Sequence, residues 1–265
     1  MFISLVNTKG GVGKSTLAVH AAAWLHDQGL RVTAVDADEQ ASLSAWLRLA
    51  APEVPIVPLH TAADILARAP ELAAGCDVVV ADGPAALGSE VAALISVSDL
   101  VVLPLLPSML DVWASYRTAR LIYKVQFHPK RAGLPRALVV LNRVQSRTRV
   151  ARVAAAAIEK YGFPVCPVAI EARSAYAEAG ARGTVVSRMG RGAALAAVEI
   201  GRLVEHMLAQ VPESAAAARV LAARRAAQVI ASRALPAEVV APLPMSQTLV
   251  PAPAPAPASS GLAPV

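Results

Sequence analysis

The feature that most constrains this chain lies at its start. The apolar run Phe2 to Val6 is followed by Lys9-Gly10-Gly11-Val12-Gly13-Lys14-Ser15-Thr16. Apolar run, glycine cluster and a helix-forming stretch from Ser15 to about Asp27 read as strand, loop and helix start. Three glycines within four residues let the backbone turn its N–H groups inward, and the following helix offers its positive end to an anion. The pattern predicts a phosphate cradle. The usual phosphate loop places a glycine where Thr8 stands here, and the loop carries instead a second lysine, Lys9.

Carboxylates follow at the expected places for such a sheet. Residues 31–35 predict a second buried strand that delivers Asp36-Ala37-Asp38 to its carboxyl end, where open α/β sheets bind ligands. Residues 77–81 predict another apolar strand, ending in Asp82-Gly83-Pro84. Each carboxylate has two readings: it faces a metal and phosphate, or it caps the next helix or turn. Further strands are predicted at residues 54–57, 99–104, 137–141 and 163–169, and helices at 40–49, 62–72, from 108, and at 148–161, 193–210 and 214–234.

With KGGVGKST, the DxD pair and the strand ending in Asp82 in that order, the chain resembles the ParA/MinD family of ATPases, whose deviant Walker A motif carries the extra lysine. The resemblance spans residues 1 to about 210, with its strong motifs in the first 90. It implies a mainly parallel α/β sheet with helices on both faces, and ATP and Mg²⁺ as ligands. Lys14 would neutralise the β and γ phosphates within a cradle of residues 9–16, and Lys9 would reach a nucleotide across a dimer interface. Ser15, Asp36 and Asp82 would serve the metal, and Asp38 would orient or deprotonate the attacking water. Asn142 and Arg143, after the strand at 137–141, would meet the adenine; a plain turn is the competing reading. The segment 171–186 resembles the family's loop and short helix over the base. Glu39-Gln40-Ala41 stands where family members commonly carry proline and glycine, which bears on the conformation of that loop.

Charge is segregated along the chain. Residues 1–112 carry 5 basic and 12 acidic side chains, residues 113–202 carry 16 and 4, and residues 203–265 carry 4 and 3. A basic block suits a polyanion, although arginine also serves buried ion pairs and solubility. By position, the family's DNA-binding residues correspond to Arg182, Arg188, Arg191 and Arg202. The resemblance thus implies an ATP-dependent homodimer that binds DNA without sequence preference. A ParB-like or adaptor protein would stimulate hydrolysis, and a plasmid, chromosome or protein cluster would be positioned on the nucleoid in the cytoplasm.

The chain of 265 residues predicts an ATPase domain at 1–210, an alanine-rich helix at 211–234 and a disordered Pro/Ala-rich tail at 235–265 containing PAPAPAPASSG. Cys76 and Cys166 form no metal or disulfide pattern, and no secretory signal precedes the first strand. Two alternatives belong to the same superfamily. A MinD-like membrane ATPase would dock through Val220, Leu221, Val229 and Ile230, a face with no aromatic residue, so membrane binding is not expected. A metal-insertion or amidoligase enzyme would need a ligand set or substrate domain that the sequence does not display.

Overall fold

The computed structural model describes residues 1–128, 133–145, 149–159 and 162–222. The strands are β1 (Phe2–Leu5), β2 (Val32–Asp36), β3 (Ile56–Pro58), β4 (Val78–Asp82), β5 (Leu100–Leu105) and β6 (Arg136–Leu141). They form one sheet in the order β3-β2-β4-β1-β5-β6, and every pairing is parallel. Around it lie α1 (Lys14–Asp27), α2 (Ser42–Ala50), α3 (Ala62–Gly75), α4 (Ser89–Val97), α5 (Met109–Gln126), α6 (Arg149–Glu159), α7 (Ser174–Ala181) and α8 (Ala194–Ala209). Residues 215–222 are helical as well. The fold is the parallel α/β sheet that the sequence predicts.

A parallel sheet covered on both faces needs strands that are apolar at nearly every position, and these are. Alternate residues feed two cores. Ile3, Leu5, Ala34, Val80, Val102 and Val140 share one with α1, α2 and α8, while Phe2, Val35, Val79, Val101 and Val139 share the other with α3, α4, α5 and α6. Helix α1 is buried almost all round, so its outward side must also be apolar and small; alanines 21 to 23 meet that demand. Gly201 lets α8 press on it, since a side-chain carbon there would stand 3.2 Å from the Trp24 indole nitrogen. The core continues past the predicted boundary at residue 210: Val211, Ala216, Ala217 and Val220 join the first cluster. The tail at 235–265, and the predicted helix beyond residue 222, lie outside the described residues.

One predicted strand is corrected. Residues 163–169 form no strand beside β6 and pair with it through one isolated bridge, between Val139 and Val165. Pro164 and Pro167 remove two backbone donors from this stretch, so no regular ladder can run through it. Cys166 and Ile170 still donate their N–H groups to Val139 and Leu141, which holds the segment beside the sheet.

Candidate functional site

β1 leads into a loop that only glycine can make. Gly11 and Gly13 lie in the left-handed region, at φ 74° and 97°. At Gly13 there is a second reason: a side-chain carbon would fall 2.1 Å from Asn142 Nδ2. Gly13 caps α1 without a side-chain acceptor, and no acid occupies the helix's first turn. By contrast α3 and α5 start at Thr61 and Ser108, whose hydroxyls accept the N–H of Asp64 and Asp111. The first N–H groups of α1 are thus left for an anion. Lys14 is buried, with Nζ 3.5 Å from the Lys9 carbonyl oxygen. Desolvation holds its pKa below the ordinary lysine value, against the attraction of Asp82 and Asp38.

The carboxylates converge because of strand order. β4 lies between β2 and β1, and its register puts Asp82 beside both Asp36 and Leu5. Asp36 is fully buried and accepts N–H groups from Ser44 at 2.8 Å and Asp38 at 3.3 Å. Asp38 accepts the Gln40 N–H at 3.0 Å, and the turn ends on Ala41 at φ 51°, a left-handed position held without the family's glycine. Asp82 is fully buried, and neither carboxylate oxygen has a hydrogen bond of normal geometry. Burial pushes its pKa up to about 7; Asp36 and Asp38 add to the rise, while the Ser15 hydroxyl and the Lys14 ammonium oppose it.

A buried carboxylate with both oxygens orphaned, beside a second buried carboxylate, is an arrangement that a divalent cation completes. Ser15, Asp36 and Asp82 fit Mg²⁺ in donor type. No group of three His, Cys, Asp or Glu side chains among the described residues is placed to hold a metal alone. The cation would therefore take water and phosphate for the rest of its shell, as Mg²⁺ characteristically does.

Beside the loop lies a cavity of about 530 Å³, lined among others by Thr16, Trp46, Asn142, Arg143, Arg173 and Tyr176. Its size suits a nucleobase with its ribose. Asn142, expected to read the adenine, has its amide committed elsewhere: Nδ2 donates to the Val12 carbonyl at 2.7 Å, and Oδ1 accepts the Arg143 N–H at 2.9 Å. It braces the phosphate loop against the end of β6. Arg143 stands exposed at the cavity in a left-handed conformation, φ 52°.

Segment 171–186, expected over the base, does line this cavity; Trp46 and the contacts that hold the segment in place were not read from the sequence. Tyr176 donates its hydroxyl to Glu199 at 3.1 Å, and Arg173 pairs with Glu171 and Glu199, each at 2.7 Å, tying the segment after residue 170 to α8. His20 donates Nδ1 to the Thr16 carbonyl at 2.8 Å and sets its ring edge-on to Trp46 and Tyr176, with centroids 5.2 and 5.4 Å away. Burial lowers its pKa to about 4, so it is neutral. The visible signal was a histidine inside an otherwise apolar helix.

The four arginines expected at DNA do not share one environment. Arg188 is paired within the chain: its guanidinium meets Asp27 at 2.7 Å and Glu53, and donates to the Ala50 carbonyl at 2.6 Å, tying the end of α1 to the loop after α2. Arg182 is exposed and 3.6 Å from Glu178. Arg191 and Arg202 are exposed, and with Leu195 and Val198 they mark one outward line along α8 and the turn before it. Lys9, expected to act across a dimer, lies 2.7 Å from Asp111 of its own chain.

Comparison with known proteins agrees with this geometry. Residues 3–186 match the family model described as the CobQ/CobB/MinD/ParA nucleotide binding domain. A similar protein is the maintenance of carboxysome distribution protein A of Halothiobacillus neapolitanus, 31% identical over 213 residues, which cover 78% of this chain and 95% of that one. Among solved structures, the McdA–ATP complex from Cyanothece superposes with a TM-score of 0.64 at 19% identity, covering 78% of this chain and 96% of that one. The septum site-determining protein MinD with Mg-ADP from Pyrococcus horikoshii gives a TM-score of 0.59 at 18% identity, with coverage of 77% and 94%. At these identities the two structures speak for the fold alone. Motif order, sheet topology and the family match agree, and the chain belongs to the CobQ/CobB/MinD/ParA nucleotide-binding family.

Proposed function

We propose that this protein is a ParA-type ATPase. ATP and Mg²⁺ join two subunits face to face, the dimer binds DNA without sequence preference, and hydrolysis stimulated by an adaptor protein releases it, so that a cargo is moved over the nucleoid. The observation that carries the reading is the convergence of Lys14, Asp36, Asp38 and the doubly orphaned Asp82 beside an uncapped helix start. The similarity to a carboxysome distribution protein favours a protein assembly of that kind as cargo.

Each residue has a distinct task in this reading. Lys14, buried and partly desolvated, neutralises phosphate charge where water competes little. Asp38, braced by the Gln40 N–H, directs its second oxygen at the attacking water. Mg²⁺ supplies charge neutralisation of the phosphates when bound. Trp46, Arg143 and Tyr176 enclose the base. DNA is met by Arg182, Arg191 and Arg202 on the exposed surface. Among the described residues no helix is long and apolar enough to cross a membrane.

Two variants test the reading. Lys14→Ala abolishes nucleotide binding in a fluorescent titration, whereas Asp38→Ala keeps binding and loses phosphate release by a hundredfold or more, on the order expected for a lost general base. Unchanged affinity in the first, or parental turnover in the second, overturns the assignment.

A further inference from the structure

Trp46 is the side chain at which α2, the segment 171–186 and the cavity meet. It is half-buried and projects from α2, the helix that follows the turn carrying Asp36 and Asp38. That turn and the helix start are one bonded unit: the Ser44 N–H holds Asp36, the Gln40 N–H holds Asp38, and the Ala45 N–H donates to the Ala41 carbonyl at 2.9 Å. Where α2 lies, Asp38 goes with it. Ala41 at φ 51° is strained for a residue with a side chain, so the turn keeps this conformation only where its surroundings hold it. On its outer side α2 is fastened to the segment 171–186. The Trp46 indole N–H donates to the Thr184 carbonyl at 2.9 Å, and Gly180 leaves room for the ring, since a side-chain carbon there would already lie 3.6 Å from it. Gly183, left-handed at φ 59°, comes so near that a side-chain carbon would stand 3.0 Å from Leu49 Cβ. The same indole lines the cavity beside the phosphate loop.

We propose that Trp46 is a positioning residue: its indole N–H latches α2 to the segment 171–186, so that a base in the cavity fixes α2 and thereby the aim of Asp38 at the attacking water. This rests on the ATPase reading above, which seats the base in that cavity and gives Asp38 the water. A base there meets Trp46 from α2 and Tyr176 from the later segment together, and so favours the latched arrangement over any in which the two part. A ligand made of phosphate alone lacks that contact. The cradle then holds any triphosphate, whereas the carboxylate that acts on water is well aimed only when a base is attached. The donor makes the latch rather than the bulk of the ring, because the group it meets is a backbone carbonyl that loses this partner when the N–H is removed.

The test uses the full chain with saturating ADP or pyrophosphate, each with Mg²⁺, and reads hydrogen exchange in the peptide covering residues 38–45 by mass spectrometry. In the parent, ADP is expected to slow exchange there about fivefold more than pyrophosphate does, the worth of one ordinary hydrogen bond. Trp46→Phe keeps a large ring and removes the donor. Trp46→His keeps a donor, since imidazole Nε2 stands where indole Nε1 does, and loses much of the ring. The excess protection by ADP is expected to vanish in Trp46→Phe and to persist in Trp46→His, the reverse of what packing alone would give. Phosphate release from saturating ATP is expected to fall about tenfold in Trp46→Phe, with ADP affinity within about threefold of the parent. Equal protection by ADP and pyrophosphate in the parent overturns the proposal, as does excess protection retained in Trp46→Phe or lost in Trp46→His. A turnover loss matched by an equal loss of affinity overturns it too. In each of these cases ADP that binds more tightly than pyrophosphate leaves the seating of the base intact. ADP that binds the parent no more tightly than pyrophosphate removes the base from the cavity, and the latch with it.

Discussion

At the scale of single residues, the site is a set of groups in environments that water would not give them. Asp82 is the extreme case: a carboxylate buried with both oxygens orphaned is destabilising unless a counter-ion meets it, and the proposed cation would do so. Asp82→Asn is therefore expected to stabilise the nucleotide-free protein at pH 8 by about 2 kcal/mol or more, read from chemical denaturation. The same variant should lose Mg²⁺-dependent ATP turnover; a less stable variant would contradict this role for the carboxylate. His20 works in the opposite sense. It stays neutral in the fold down to about pH 4, whereas unfolded histidine takes a proton near its ordinary value of 6.5. Above pH 6.5 both states are neutral; as pH falls from there toward 4 the unfolded state binds the proton first, and stability is lost. Between about pH 7.5 and 5 the parent should lose about 2 kcal/mol more than His20→Gln. Parallel losses would show that the buried imidazole does not set the acid limb.

At the scale of elements, what the sequence made legible depended on range. Glycine loop, strand ends and helix starts are local, and Lys14, Asp36, Asp38 and Asp82 fall at strand ends and a helix start as their motifs indicate. The 163–169 stretch misled because β-branched and aromatic residues outweighed the two prolines that prevent a ladder. Partnerships across the chain left no local trace: Lys9 with Asp111, Asn142 with Val12, Arg188 with Asp27 and Glu53. Arg188 shows the consequence, since a basic block cannot say which cations are internally paired. The outward line of Arg191 and Arg202 survives that sorting. Arg191→Glu with Arg202→Glu is expected to weaken ATP-dependent duplex binding for all sequences alike and to lower the salt slope by about 0.9 for each phosphate no longer neutralised. Parental binding with parental salt dependence would place the DNA surface elsewhere.

At the scale of the whole molecule, one topological fact assembles the site. Because β4 inserts between β2 and β1, the carboxyl ends of three strands deliver the phosphate loop, Asp36 with Asp38, and Asp82 to one edge. The adjacent cavity is lined by segments from early and late in the chain, so a nucleotide bound there, as proposed, would touch both and could act on the whole unit. Such a ligand biases assembly only if some contact exists in the joined state alone, and Lys9 is the group suited to make it. ATP should therefore change the mass of the particle in solution. Light scattering of Asp38→Ala, in which turnover should stall, measured with ATP and Mg²⁺ and again with ADP and Mg²⁺, tests this most directly. A doubled mass with ATP and a monomer with ADP is the predicted result; the same mass in both nucleotides would contradict it.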